Sequence, residues 1–194
     1  MKKQSPGKIL QGGGIVVFPT DTVTGIGCRA GDASAVRRIF ALKGREKGKP
    51  LILFVSSIAQ AEKYTGRLPE RVRRLLRELW PGPFTAILPV SKKMVPGVGI
   101  RKTVGIRIPG HAVPLSLLKS LGEPMATTSA NLAGQPPDID AEKAGAGWVG
   151  RVSVIAGRSG NVPSTVADLT RWPPVVLRAG AVSEGKLRKL CGGE

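Results

Sequence analysis

Apolar positions in this chain come in short clusters cut by glycine, proline and polar turns, and their spacing switches between two periods. Residues 15–18 (IVVF) form a compact β-branched and aromatic run bounded by glycines and Pro19, which predicts a buried strand. Asp32 is placed to cap a helix over residues 33–43, where Val36, Ile39 and Phe40 share one face. Residues 51–55 (LILFV) predict a second buried strand. Pro69 suits the first position of a helix in which Val72, Leu75, Leu76 and Leu79 follow i, i+3, i+4, i+7 spacing. Strands are predicted at 84–90, 104–108 and 125–128, the last entering a Ser129-Ala130-Asn131 loop, and a short helix over 114–121 is closed by Gly122. Three more strands follow at 152–155, 165–169 and 175–177, and Ser183 caps a last helix through Leu190.

Because strands and helices are interleaved, the expected fold class is α/β, a layered sheet. The 194 residues amount to one domain at ~150 residues per domain. With 41% hydrophobic residues, a chain of this size buries a core without disulfide or metal staples. No linker, repeat or low-complexity tail interrupts it, and the Gly/Pro-rich stretch 134–137 reads as a loop.

Charge narrows the partners. Lys and Arg number 30 against 13 Asp and Glu, a net charge of +17, which predicts an anionic partner such as a nucleotide, phosphate or RNA. No apolar run approaches the ~20 residues of a membrane helix, and residues 15–18 are too short for a signal-peptide core, so a cytoplasmic protein without a membrane partner is expected. Two cysteines, Cys28 and Cys191, give neither a disulfide framework nor a zinc quartet and point to a reduced compartment. A single histidine, His111, argues against a zinc or Ser-His-Asp centre.

Several motifs have plainer readings. Residues 180–187 (GAVSEGKL) nearly match a phosphate loop, but Leu187 stands where a hydroxyl must reach magnesium. Residues 25–30 (GIGCRA) resemble a dinucleotide fingerprint with Glu46 downstream, yet the capped helix begins only after Asp32, so a structural turn is expected. Ser116 and Lys119 have Ser-x-x-Lys spacing without the companion motifs and read as a helix face. His111, in a loop after Pro109-Gly110, reads as a capping or hydrogen-bonding residue.

Four segments carry candidate chemistry. They are Pro19-Thr20-Asp21-Thr22 after the first strand, Lys43-Gly44-Arg45 with Lys47 and Lys49 at the end of the first helix, Ser129-Ala130-Asn131, and Pro163-Ser164-Thr165-Val166 with Arg178 downstream. A Lys and an Arg two residues apart beyond a helix end can converge on one polyphosphate, the Arg as a planar fork and the Lys as a mobile point charge. Small hydroxyl and amide groups on strand-end loops can hold a polar small molecule, and such loops are where ligands of α/β sheets bind. Singly, each segment is equally well a turn or a solvated basic loop. A competing reading is a phosphate-contacting binder of tRNA or double-stranded RNA, because Arg67, Arg71, Arg73, Arg74 and Arg77 crowd one helix while Lys92, Lys93, Arg101 and Lys102 add a second basic stretch. The 4% aromatic content argues against a single-strand stacking platform.

In order and spacing, the four segments resemble the YrdC-like family, together with residues 79–85 (LWPGPFT) and 104–111 (VGIRIPGH), over about residues 9–180. The resemblance implies a single YrdC-like domain over 1–194, an α/β fold with one twisted mixed β-sheet flanked by helices, without the C-terminal domain that some relatives carry. It implies synthesis of L-threonylcarbamoyladenylate from L-threonine, bicarbonate and ATP with release of pyrophosphate, feeding threonylcarbamoyl-transferase machinery that modifies tRNA. It assigns Lys43, Arg45, Ser129 and Asn131 to catalysis, and the same four with Lys49, Thr103 and Arg178 to ATP. Thr22, Arg107, Thr127 and Ser164 match positions that hold the amino acid, where a guanidinium at Arg107 suits a carboxylate. Magnesium is expected with the ATP, with no metal-ligating residue of the chain. The chain departs from the family pattern at Thr24, where Tyr is usual, at Phe54, where a polar residue is frequent, at Pro136-Pro137-Asp138 and at Ala179.

Overall fold

The computed structural model describes residues 5–44, 49–91, 94, 96–100 and 102–192. Nine strands form one mixed sheet: β1 (Val16–Phe18), β2 (Gly25–Arg29), β3 (Ile52–Phe54), β4 (Phe84–Pro89), β5 (Thr103–Arg107), β6 (Met125–Ser129), β7 (Ser153–Val154), β8 (Thr165–Asp168) and β9 (Val175–Arg178), in the spatial order β7-β1-β2-β6-β3-β5-β4-β8-β9. Three pairs, β1–β7, β3–β5 and β4–β8, are parallel and the others antiparallel. The flanking helices are α1 (Pro6–Gln11), α2 (Ala33–Lys43), α3 (Ile58–Thr65), α4 (Glu70–Leu79), α5 (Ala112–Leu121), α6 (Ala141–Ala146) and α7 (Glu184–Leu190).

Side chains alternate across the sheet and divide the core in two. Val17, Ile26, Cys28, Leu53, Ala86, Leu88, Ile106 and Ala126 face the larger cluster, where they meet Val36 and Ile39 of α2 and Val72, Leu75 and Leu76 of α4. Val16, Phe18, Phe54 and Met125 face the smaller one with Leu10, Leu117 and Leu118, on α1 and α5. These two helices approach closely because Gly7 has no side chain; a Cβ there would stand 2.1 Å from the Ser120 hydroxyl. The sheet face of the smaller cluster also carries the cavity described below.

Where capping signals were legible, the helices fall as expected. Asp32 accepts a hydrogen bond from the Ala35 amide at 2.9 Å and α2 runs to Lys43, where Gly44 caps it at φ 58. His111 caps α5 by accepting from the Val113 amide at 3.1 Å, which agrees with its plain reading. Pro69 is the residue before α4 rather than the first within it. The expected turn at residues 25–30 is instead strand β2, buried between β1 and β6. Its glycines are there for packing: a Cβ on Gly25 would lie 2.9 Å from the Phe18 ring, and one on Gly27 would lie 2.9 Å from the Thr127 methyl. Helices α1, α3 and α6 carry no expectation from the apolar pattern; each is short and packs few apolar side chains.

Candidate active site

Sheet register builds the floor of the site. Gly25 pairs with Ser129, Thr127 stands between Gly27 and Ile52, and Phe54 pairs with Arg107. Residues two apart on a strand share a face, so Ile52, Phe54, Arg107, Thr127 and Ser129 point together. They line a cavity of about 540 Å³ with Thr20, Thr22, Thr85, Pro136, Pro137, Ser164 and Arg178 among its walls. That volume suits a small organic ligand.

At one end lies Arg107, 3% exposed. Its Nε donates to the Gly82 carbonyl at 2.9 Å and its Nη1 to the Thr22 hydroxyl at 2.8 Å. Its Nη2 stands 2.6 Å from Asp21 Oδ1 as an ion pair, without a well-aligned hydrogen bond, and the guanidinium lies over the Phe54 ring at 5.6 Å. Burial pulls the affinity of this guanidinium for its proton down, and the neighbouring Asp21 charge opposes it. The loop bearing Thr22 is fixed by Thr20, whose hydroxyl accepts from the Thr22 amide at 3.0 Å and donates to the Val23 carbonyl at 2.8 Å. Thr127 has a fully buried hydroxyl with no hydrogen-bond partner among the described residues, an acceptor and donor left open on the cavity floor. On the far wall the Ser164 and Thr85 hydroxyls share a 2.9 Å hydrogen bond, while Arg178 Nη2 donates to the Ser164 carbonyl at 2.8 Å and hydroxyl at 3.0 Å.

At the other end Lys43, the last residue of α2, reaches under the lip of the cavity. Its ammonium donates to the carbonyls of Ser129 and Asn131 and, at 3.3 Å, to Asn131 Oδ1. It is 2% exposed, so this Lys is a pinned cation rather than the mobile one expected. Asn131 is the hub of the lip: Ser129 Oγ donates to its Oδ1, and its Nδ2 donates to the carbonyls of Leu132 at 2.9 Å and Gln135 at 2.7 Å. The two α2 carbonyls at this end are taken by the Trp148 indole and the Ala133 amide.

The structure therefore brings Thr22, Arg107, Thr127, Ser164, Ser129 and Arg178 onto one cavity, with Lys43 and Asn131 supporting its rim. Arg45 lies outside the described residues, as do Lys92, Lys93 and Arg101. Lys49 is exposed beside Pro50, which lines the cavity. Thr103 does not line it: four residues before Arg107 on β5, about 13 Å at ~3.3 Å per residue, its hydroxyl donates to the Ile100 carbonyl at 3.1 Å. Thr20 and Thr85 were assigned no role from sequence. The signal at Thr85 is a hydroxyl on the face of β4 opposite Phe84, Ala86 and Leu88. Of the departures from the family pattern, Phe54, Pro136 and Pro137 line the cavity, whereas Thr24 is buried and bonds the Ser159 hydroxyl at 3.0 Å. Among the described residues no three His, Cys, Asp or Glu side chains cluster as metal ligands, and Asp21 is committed to Arg107.

The chain belongs to the Sua5/YciO/YrdC family, whose model, described as telomere recombination, matches residues 8–180. It is 40% identical over 186 residues to a threonylcarbamoyl-AMP synthase of Pyrococcus abyssi, covering 93% of this chain and 54% of that protein. To the threonylcarbamoyl-AMP synthase of Thiobacillus denitrificans it is 36% identical over 173 residues, covering 88% of this chain and 91% of that one. Among solved structures it resembles P. abyssi Sua5 complexed with L-threonine (TM-score 0.89, 38% identity, 96% of this chain and 56% of that one) and E. coli YciO (TM-score 0.82, 32% identity, 95% and 90%). The chain spans about half the length of the Pyrococcus abyssi and Bacillus subtilis relatives it matches.

Proposed function

We propose that this chain is a cytoplasmic enzyme that makes L-threonylcarbamoyladenylate from L-threonine, bicarbonate and ATP, releasing pyrophosphate. The observation that carries this reading is the convergence on one cavity of Arg107, Thr22, Thr127 and Ser164 with Ser129 and Arg178. Arg107 takes the threonine carboxylate, and the hydroxyls of Thr22, Thr127 and Ser164 take its polar groups. The amine and bicarbonate form a carbamate with loss of water, and a carbamate oxygen attacks the α-phosphorus of ATP as pyrophosphate leaves. Charge develops on the phosphoryl oxygens, so fixed cations in a water-poor cavity lower the barrier, and joint binding removes the entropy of a three-substrate encounter. Lys43 holds the Ser129–Asn131 lip that orients the nucleotide; Arg45, Lys49 and Arg178 complete the ATP assignment, from which Thr103 is removed by its place away from the cavity. Threonylcarbamoyl-transferase machinery acting on tRNA consumes the product.

The test is pyrophosphate release by the purified chain with ATP and bicarbonate, screened across the common amino acids. Release dependent on L-threonine is expected. Release without any amino acid, or none with threonine, overturns the assignment.

A second surface favours RNA as an additional partner. Arg67, Arg71, Arg171 and Trp172 line a groove of about 130 Å³ at the other end of β4 and β8, with the Arg71 guanidinium 5.2 Å from the Trp172 ring centre. Among the described residues no acidic side chain forms a salt bridge with Arg67, Arg71 or Arg74. Exposed guanidinium groups of this kind suit the phosphates of a tRNA or duplex RNA.

A further inference from the structure

We propose that Asp21 is a positioning residue for the amino-acid end of the cavity: it holds the Arg107 guanidinium at the angle at which a substrate carboxylate meets it. The inference rests on the cavity being an amino-acid site. Thr20 and Thr22, on either side of Asp21, line the cavity, but Asp21 does not, so it acts through Arg107. The guanidinium is anchored at three nitrogens, to the Gly82 carbonyl, the Thr22 hydroxyl and Asp21, and on one face by Phe54. Only the Asp21 anchor carries charge. Burial of an arginine without a counter-ion is strongly unfavourable, so without Asp21 the side chain is driven to reorient toward water.

Asp21 also has no competing duty. Among the described residues, neither carboxylate oxygen has a hydrogen-bond donor aligned on it, which leaves Arg107 as its partner there. The backbone closes around it at two glycines. A Cβ on Gly110 would stand 3.1 Å from Asp21 Oδ2, and one on Gly160 would stand 2.6 Å from the Asp21 carbonyl oxygen. The carboxylate is thus seated from behind, and its position is transmitted to the cavity by one ion pair.

The experiment compares wild type, Asp21→Asn and Gly110→Ala in threonine-dependent pyrophosphate release and in calorimetric binding of L-threonine. For Asp21→Asn the KM and Kd for L-threonine rise by about tenfold or more, while kcat at saturating threonine and the KM for ATP stay within about twofold. Gly110→Ala, whose added methyl would stand 3.1 Å from Asp21 Oδ2 and 3.2 Å from Gly82 Cα, presses on two anchors of Arg107, shifts the same constants in the same direction and keeps the test open should Asp21→Asn fail to fold. A lowered melting temperature with unchanged threonine constants overturns the proposal, because that is a structural role. Lowered KM also overturns it, because Asp21 would then compete with substrate for Arg107. Failure of the wild type to bind L-threonine removes the amino-acid reading itself, a result distinguishable from both.

Discussion

Lys43 illustrates how one side chain can be structural and functional at once. Its buried ammonium satisfies two carbonyls and an amide oxygen that form the cavity lip. Replacing it with Met takes the ammonium away from the carbonyls of Ser129 and Asn131, a loss of about 1–3 kcal/mol. Lys43→Met is therefore expected both to lower the denaturation midpoint and to cut threonine-dependent pyrophosphate release by about a hundredfold. Full activity at unchanged stability would contradict the pinned geometry. Cys28 behaves oppositely, as an inert residue. Burial among apolar side chains, with the Asp32 charge adding to it, pushes its thiol up to about 12. The unfolded thiol titrates near ~8.5, so its contribution to stability is complete below that pH and is lost as pH rises toward the folded value. Wild type should lose more stability than Cys28→Ala between about pH 8 and 11, as read by urea unfolding at the two pH values.

At the scale of elements, legibility followed local chemistry. Helix α2 was readable because Asp32 caps one end and Gly44 the other. Asp32→Ala should cost about 1 kcal/mol in denaturant unfolding. Gly44→Ala should cost a similar amount, about 1 kcal/mol, and through the backbone, since nothing among the described residues lies within 4 Å of the added Cβ. Helix α3 offered a signal that apolar periodicity does not weigh: Ser57 caps it, accepting from the Gln60 amide at 3.0 Å, in a Ser-x-x-Gln frame. Strand β2 gave a misleading one. Gly25 and Gly27 read as a turn, yet glycine is placed there by the Phe18 ring of the adjacent strand, and no local pattern contains that ring.

At the scale of the molecule, excess charge and fold are separate matters. Asp21, Glu62, Glu70, Glu123, Asp168 and Glu184 are engaged with arginines, which leaves the Arg67–Arg71–Arg74 side of α4 basic. Binding of a labelled RNA duplex should weaken steeply with salt, and Arg71→Glu with Arg171→Glu should flatten that dependence without lowering pyrophosphate release. Equal salt slopes for wild type and variant would remove this groove as the contact. The cavity, by contrast, depends on strand order. Residues from β3, β5 and β6 meet because β6 lies between β2 and β3, and β3 beside β5, an order that no spacing along the chain encodes.

The amino-acid sequence determined the α/β class, most strand positions, the capped helices and the residue types of the site, because alternation, capping and turn chemistry are local properties. Tertiary structure alone decided that Lys43 is pinned beneath the Ser129–Asn131 lip, that Thr103 lies away from the cavity, and that Asp21 stands behind Arg107. Each of these is a meeting of side chains from strands and loops far apart in the chain, and such meetings are set by sheet register and burial rather than by any neighbouring residue.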